Sequence, residues 1–131
     1  MEPQMDADER RLNEITERVI QAAFHVSNKL GVGFLEKVYE NALAVELRKN
    51  RLRTEQQKPV QVFYDGIVVG DYFADMIVEN EVLIELKAVK AFDEIHSAQC
   101  LNYLKASGLR ICLLLNFATS KVGIKRIVHK L

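Results

Sequence analysis

The sequence predicts an α/β protein, a central mixed β-sheet with helices packed against it. Three observations predict it. Two amphipathic helical patterns occupy residues 12–49, strand-like runs joined by tight-turn signals follow, and a later helix leads into the almost wholly apolar run Ile111–Phe117.

Taken in order, residues 1–10 are polar and acidic and read as a flexible start, leaving residues 11–131 as a single domain. Leu12, Ile15, Val19, Ala22, Ala23, Val26 and Leu30 recur at helical spacing, and Gly31-Val32-Gly33 ends the pattern. A second helix is expected from about Phe34 to Lys49, with Leu35, Val38, Tyr39, Ala42, Leu43 and Leu47 on or near one stripe. Gln57–Tyr64 reads as a strand with Pro59 near its start, and Asp65-Gly66 is a hairpin signal. Ile67–Val78 and Val82–Val89 continue the strands, joined by Glu79-Asn80-Glu81. A helix from about Asp93 to Ser107 is closed by Gly108. Ile111–Phe117 suits a strand covered on both faces, and Gly123–Val128 an edge strand.

Composition bounds the function. The chain has 131 residues, 49% hydrophobic and 27% charged, which is ordinary for a globular protein. No apolar run reaches the roughly 20 residues of a membrane span, and no signal-peptide core opens the chain. Cys100 and Cys112 lack metal-ligand spacing and lie in apolar patterns, as buried free thiols in a reducing cytoplasm would. With a net charge of zero, any nucleic-acid binding must come from a local patch.

The stretch Phe73–Lys87 carries charge where buried strands should not. Glu85 and Lys87 are two apart and share a strand face. If Val78 pairs with Val82 across a three-residue loop, with Asn80 left-handed, Asp75 lies opposite Glu85; a two-residue loop would send Asp75 to the other face. Two carboxylates brought together repel unless a cation or proton relieves them. Their hard oxygens, with the Leu86 carbonyl as a third ligand, suit Mg²⁺ or Mn²⁺. Lys87 would then orient a water or stabilise a phosphate. On spacing alone, an exposed strand face bearing a Glu–Lys pair and a nearby Asp has the same pattern.

Other candidates are individually weaker. Glu36, Tyr39 and Glu40 can share one side of the second helix; Glu36 either overhangs the sheet or simply complements the helix dipole. His96, Gln99 and Tyr103 fall on one stripe of the later helix, with Ile95, Ala98, Leu101 and Leu104 on its buried side. Basic residues cluster at Arg48, Lys49, Arg51, Arg53 and Lys58 and again at Lys121, Lys125, Arg126 and Lys130, as phosphate contacts or as solvated ends. Glycine-rich phosphate loops, G-x-S-x-G elbows and RNA-binding aromatic signatures are absent from the sequence.

These signals match one family in order. Gly33-Phe34-Leu35-Glu36-Lys37-Val38-Tyr39 is followed by Tyr64-Asp65-Gly66, A-D-M-I-V at 74–78, I-E-L-K-A at 84–88, H-x-x-Q-x-x-N-Y-L-K-A at 96–106 and L-L-L-N-F at 113–117. The chain resembles the GxxExxY proteins of the PD-(D/E)XK nuclease-like superfamily, from about Leu12 to Ile127. The resemblance implies a restriction-endonuclease-like αβββαβ core and metal-dependent phosphodiester hydrolysis of DNA or RNA. It places Asp75 and Glu85 as Mg²⁺ ligands, Lys87 as the assistant of the attacking water, Glu36 as the helix glutamate, and Gln99, with Tyr103 nearby, as the glutamine of the later helix.

The chain departs from the family pattern at Phe73, where a basic residue is usual two before the aspartate, and at Val32, Ser27 and Arg51. Arg51 stands where glycine often ends the second helix, a turn that Asn50 could take instead. The competing reading is a non-catalytic nucleic-acid- or protein-binding accessory module that keeps the acidic cluster for structure, since fold alone does not settle function. In either case a homodimer or another partner could complete a substrate groove.

Overall fold

A computed structural model of the protein describes residues 6–131. The flexible start read for residues 1–10 lies outside the described residues for 1–5. Residues 7–10 are already helical: α1 spans Ala7–Leu30, and the Asp6 carboxylate accepts from the Glu9 N–H at 2.8 Å as its N-cap. Its predicted stripe is buried from Leu12 to Val26, with Leu30 only partly so.

The second helix, α2, spans Glu36–Lys49 and starts two residues later than its pattern suggested. Its buried side is Tyr39, Glu40, Leu43, Ala44 and Leu47, while Leu35 and Val38 are exposed. Leu35 is the N-cap and precedes the first turn, and Val38 lies off the buried side. At the far end Arg51, not Asn50, takes the left-handed turn, with φ 63°.

The strands are β1 (Thr54–Tyr64), β2 (Ile67–Val78), β3 (Val82–Lys87), β4 (Ile111–Asn116) and β5 (Gly123–Val128), with α3 (Glu94–Ser107) between β3 and β4. They form one five-stranded sheet in the order β1-β2-β3-β4-β5. Only β3 and β4 run parallel, joined by the α3 crossover, so the sheet is mixed as predicted. Pro59 sits mid-strand rather than near the start; β1 is an edge strand, where an outward-facing missing N–H leaves no ladder bond unmade.

Helices cover both faces. Met76, Val78, Val82, Ile84, Leu86, Ile111, Leu113 and Leu115 pack under α1 and α2. The opposite layer, beneath α3, contains Val60, Ala74, Ile77, Leu83, Cys112 and Leu114 with Cys100 and Leu104. Leu104 is buried as expected, but Ile95 is 56% exposed and Ala98 also faces out, because α3 seats through Cys100 and Leu104. The strand β4 is buried at every position, as its apolar run required.

Candidate functional site

The register at the centre of the sheet is the one that brings the carboxylates together. Glu79 and Asn80 both take left-handed conformations (φ 54° and 56°), and Val78 pairs with Val82. Ile77 then faces Leu83 and Met76 faces Ile84, where the β2–β3 ladder ends. The next residues along are Asp75 and Glu85.

At this point β2 changes its alternation. Ala74 and Ile77, three apart, both lie in the α3-side layer, with Met76 between them on the other face. A regular strand would not place residues three apart on one face, so the strand is irregular around Asp75. Side chains replace ladder bonds there: the Leu86 N–H donates to Asp75 Oδ2 at 2.9 Å, and the Asp75 N–H donates to Glu85 Oε1 at 3.4 Å.

Glu85 is only 8% exposed. Burial first, and then the neighbouring Asp75 charge, push its carboxyl up to about 9. The stacked rings of Tyr72 and Tyr103, with centroids 3.8 Å apart, lie close enough for Glu85 to act on both phenols. Burial and the Glu85 charge raise both of them. Cys100 and Cys112, free and buried as predicted, lie in the same layer. A hydrogen bond from Cys112 draws the Cys100 thiol down, and Cys112 is raised in turn.

The other predicted residues are distributed unevenly around this pair. Lys87 follows Glu85 by two positions on β3, partly exposed, in register with Asn116 of β4. Glu36, from the first turn of α2, accepts from the Ala88 N–H at 3.2 Å and so grips the residue after Lys87. Asn116 holds the same segment from the other side: its amide accepts from Val89 and Ala118 N–H and donates to the Val89 carbonyl at 2.7 Å. Tyr103 reaches the site through Tyr72. Gln99 is exposed and makes no hydrogen bond among the described residues, and His96 caps α3 through the Asp93 N–H. Much of the first basic cluster is engaged internally: Arg48 donates to the Thr54 carbonyl, Arg53 pairs with Glu79 and Lys58 with Glu55.

Two residues of the cluster stand outside the predicted set. Glu40 is 4% exposed, and its carboxylate accepts from Lys37 Nζ, Gln56 Nε2 and Gln57 Nε2 at 2.7–2.9 Å. Gln57 Nε2 also approaches Asp75 Oδ1 at 3.4 Å, so one amide bridges Glu40 and Asp75. Gln57 holds φ at 53°, a left-handed conformation inside a strand. The signal for Glu40 was its place on the apolar stripe of α2 with Leu43, Ala44 and Leu47; a carboxylate there needs partners. Nothing local marked Gln57.

Among the described residues no group of three or more His, Cys, Asp and Glu stands together as a ready metal cage. The donor set that the structure brings together is the pair of carboxylates. That suits a hard cation that keeps several of its waters, as Mg²⁺ does, and such a charge would remove the penalty that Glu85 carries. No helix among the described residues is long and apolar enough to cross a membrane.

Comparison with known proteins agrees with this fold. The chain is similar in fold to the crystal structure of SSO0001, with a TM-score of 0.57 at 19% identity over 73% of this chain. It spans about half the length of that protein, 51% of it. The search of curated proteins returns no match. A family model described as the PD-(D/E)XK nuclease superfamily matches residues 13–127, which takes in every strand but the last residue of β5, as well as the Asp75, Glu85 and Lys87 positions. On that match, and on a mixed sheet opened at an aspartate facing E-x-K, the chain belongs to the PD-(D/E)XK nuclease superfamily.

Proposed function

We propose that the protein is a Mg²⁺- or Mn²⁺-dependent nuclease hydrolysing phosphodiester bonds of DNA or RNA. The observation that carries this reading is the contact between Asp75 and the buried Glu85 at the open end of the β2–β3 ladder, two residues from Lys87. A fold need not hold two carboxylates in such contact, since neutral Asn or Gln would accept from the same N–H groups without the repulsion.

In this reading Asp75, Glu85 and the Leu86 carbonyl hold the cation. When bound there, it supplies Lewis-acid stabilisation of the phosphoryl oxygens and a more acidic water. Lys87 orients the attacking water or donates to a non-bridging phosphate oxygen. Water oxygen bonds to phosphorus, the bond to the leaving oxygen breaks, and a phosphate monoester and a hydroxyl result. Glu36 acts by positioning, since it fixes the Ala88 peptide beside Lys87. Tyr103, through Tyr72, keeps the Glu85 side of the site packed, and Gln99 is free to meet the substrate. The motif Gly33–Tyr39 supports the GxxExxY group as the chain's place within the superfamily.

A second reading, a non-catalytic binding module, is favoured by the apolar and exposed Phe73 two residues before Asp75. Metal titration against labelled single- and double-stranded DNA and RNA separates the two. Divalent-metal cleavage lost in Lys87→Ala and Asp75→Ala is the expected result. If no substrate is cut and both variants bind nucleic acid like the wild type, the nuclease assignment is wrong.

A further inference from the structure

We propose that a cavity beside Lys87, walled by the α1–α2 loop, accepts one unstacked nucleobase of the nucleic-acid substrate. The location rests on the nuclease reading above; the test does not.

The loop is built rigidly. Gly31 and Gly33 take positive φ (72° and 108°), and Tyr39, buried beneath them, donates its hydroxyl to the Gly31 carbonyl at 2.6 Å and accepts from the Phe34 N–H at 3.2 Å. The Tyr39 ring is stacked on Phe117, 4.8 Å between centroids. This fixed scaffold nonetheless shows large apolar side chains to solvent: Phe34 is 48% exposed and Leu35 81%. Exposed apolar groups on an anchored loop are a standing cost unless a ligand covers them.

What they wall is a cavity of about 700 Å³, with Phe34, Leu35, Phe117, Ala88 and Glu36 among its lining. Small-ligand sites commonly fall between about 300 and 1,000 Å³. The cavity is continuous with the candidate site, because Glu36 belongs to both and Ala88 is the residue after Lys87. It also lies past the carboxyl ends of the parallel strands β3 and β4, where α/β sheets receive ligands.

The chemistry of the lining selects the occupant. The Glu36 carboxylate spends Oε1 on the Ala88 N–H and leaves its other oxygen without a partner among the described residues. Lys37 also lines the cavity, but its ammonium is paired with Glu40 at 2.9 Å, so the unpaired charge there is the Glu36 carboxylate, which disfavours the sugar–phosphate chain. That carboxylate accepts from ring N–H and exocyclic amino groups, and the Phe34 face offers stacking. An aromatic face, aliphatic walls and one N–H acceptor together match a nucleobase swung out of its stack.

The test is equilibrium binding of fluorescent oligonucleotides with Ca²⁺ in place of Mg²⁺, so that turnover is not needed. Phe34→Ala should weaken single-strand binding by roughly 5- to 100-fold, the range of one lost base stack. Duplex of the same sequence should bind unchanged, and Phe34→Tyr should restore the single-strand affinity. Scanning one abasic position along the strand should find a site whose loss costs the wild type but not Phe34→Ala. Both Phe34 and Leu35 are exposed, so their variants fold, which thermal denaturation checks. If Phe34→Ala and Leu35→Ala bind single strands like the wild type, or lose single strand and duplex alike, the pocket is refuted; a protein covering this loop would give the first result. Cleavage that depends on Lys87 while binding ignores Phe34 sinks the pocket alone. Single-strand binding that depends on Phe34 without any cleavage by the wild type sinks the nuclease reading alone.

Discussion

Glu85→Gln should make the protein more stable and at the same time blind to divalent metal. The carboxyl of Glu85 ordinarily titrates at 4.5 and is pushed up to about 9 in the fold by burial and by Asp75. The folded state therefore binds the Glu85 proton more tightly than the unfolded chain does. Stability from this group is whole below 4.5 and is lost as pH rises through 9. At ~1.4 kcal/mol per pH unit, the interval from 4.5 to pH 7 costs about 3 kcal/mol. Glutamine keeps an oxygen for the Asp75 N–H and turns an NH₂ toward the Asp75 carboxylate, so the change removes the charge without breaking the contact. The expected gain at pH 7 is up to about 3 kcal/mol, or about 10 °C in Tm for a chain of this size. Urea denaturation from pH 5 to 8 should show the wild type weakening relative to the variant as pH rises. Added Mg²⁺ or Mn²⁺ should stabilise the wild type at pH 7.5 and leave the variant unmoved. Equal pH slopes for the two proteins, or a variant less stable at pH 8, would refute the reasoning about Glu85.

Three further outcomes follow from contacts around the site. Tyr39→Phe removes one donated and one accepted hydrogen bond at a buried hydroxyl and should cost about 1–3 kcal/mol by urea denaturation, with faster amide exchange at Phe34. Asn116→Ala strands Val89 N–H and C=O and the Ala118 N–H in a part-buried setting; a loss of about 2–4 kcal/mol is expected, with Lys87-dependent cleavage falling alongside it. Both Gln57→Ala and Gln57→Gly lose the amide that bridges Glu40 and Asp75, but only glycine is at ease at φ 53°, so the glycine variant should be the more stable by about 1 kcal/mol in thermal melts.

How much of this was legible in the sequence depends on how local each cause is. The α1 stripe, the buried β4 run and the Val78–Val82 register were readable because periodicity and a three-residue turn determine them. The face of α3 was not: nearly every turn of Glu94–Ser107 offers an apolar residue, so spacing did not separate Cys100 and Leu104 from Ile95 and Ala98. The site shows the same division. Asp75, Glu85 and Lys87 announce themselves as charge in apolar strands. Glu36 and Tyr103 were weak helix-face candidates that the family pattern singled out, and the structure ties the first to Ala88 and the second to Tyr72. Gln57, an ordinary polar residue of an edge strand, owes its place to partners 17 and 18 residues away, which no window of periodicity samples.

The place where β2 and β3 part explains why site and fold are hard to separate here. A sheet that stops pairing in its interior leaves backbone N–H groups without ladder partners, and unpaired buried donors are costly. Asp75 and Glu85 meet that need by accepting from Leu86 and from Asp75 itself. Two carboxylates are a poor structural solution, because the Asp75 charge raises the cost of ionising Glu85; neutral Asn or Gln would satisfy the same N–H groups without it. Folding alone does not explain that repulsion, and a bound cation, as in the proposed function, would relieve it. Metal binding and stability at neutral pH should rise together in this protein, with Glu85 the residue through which they are coupled.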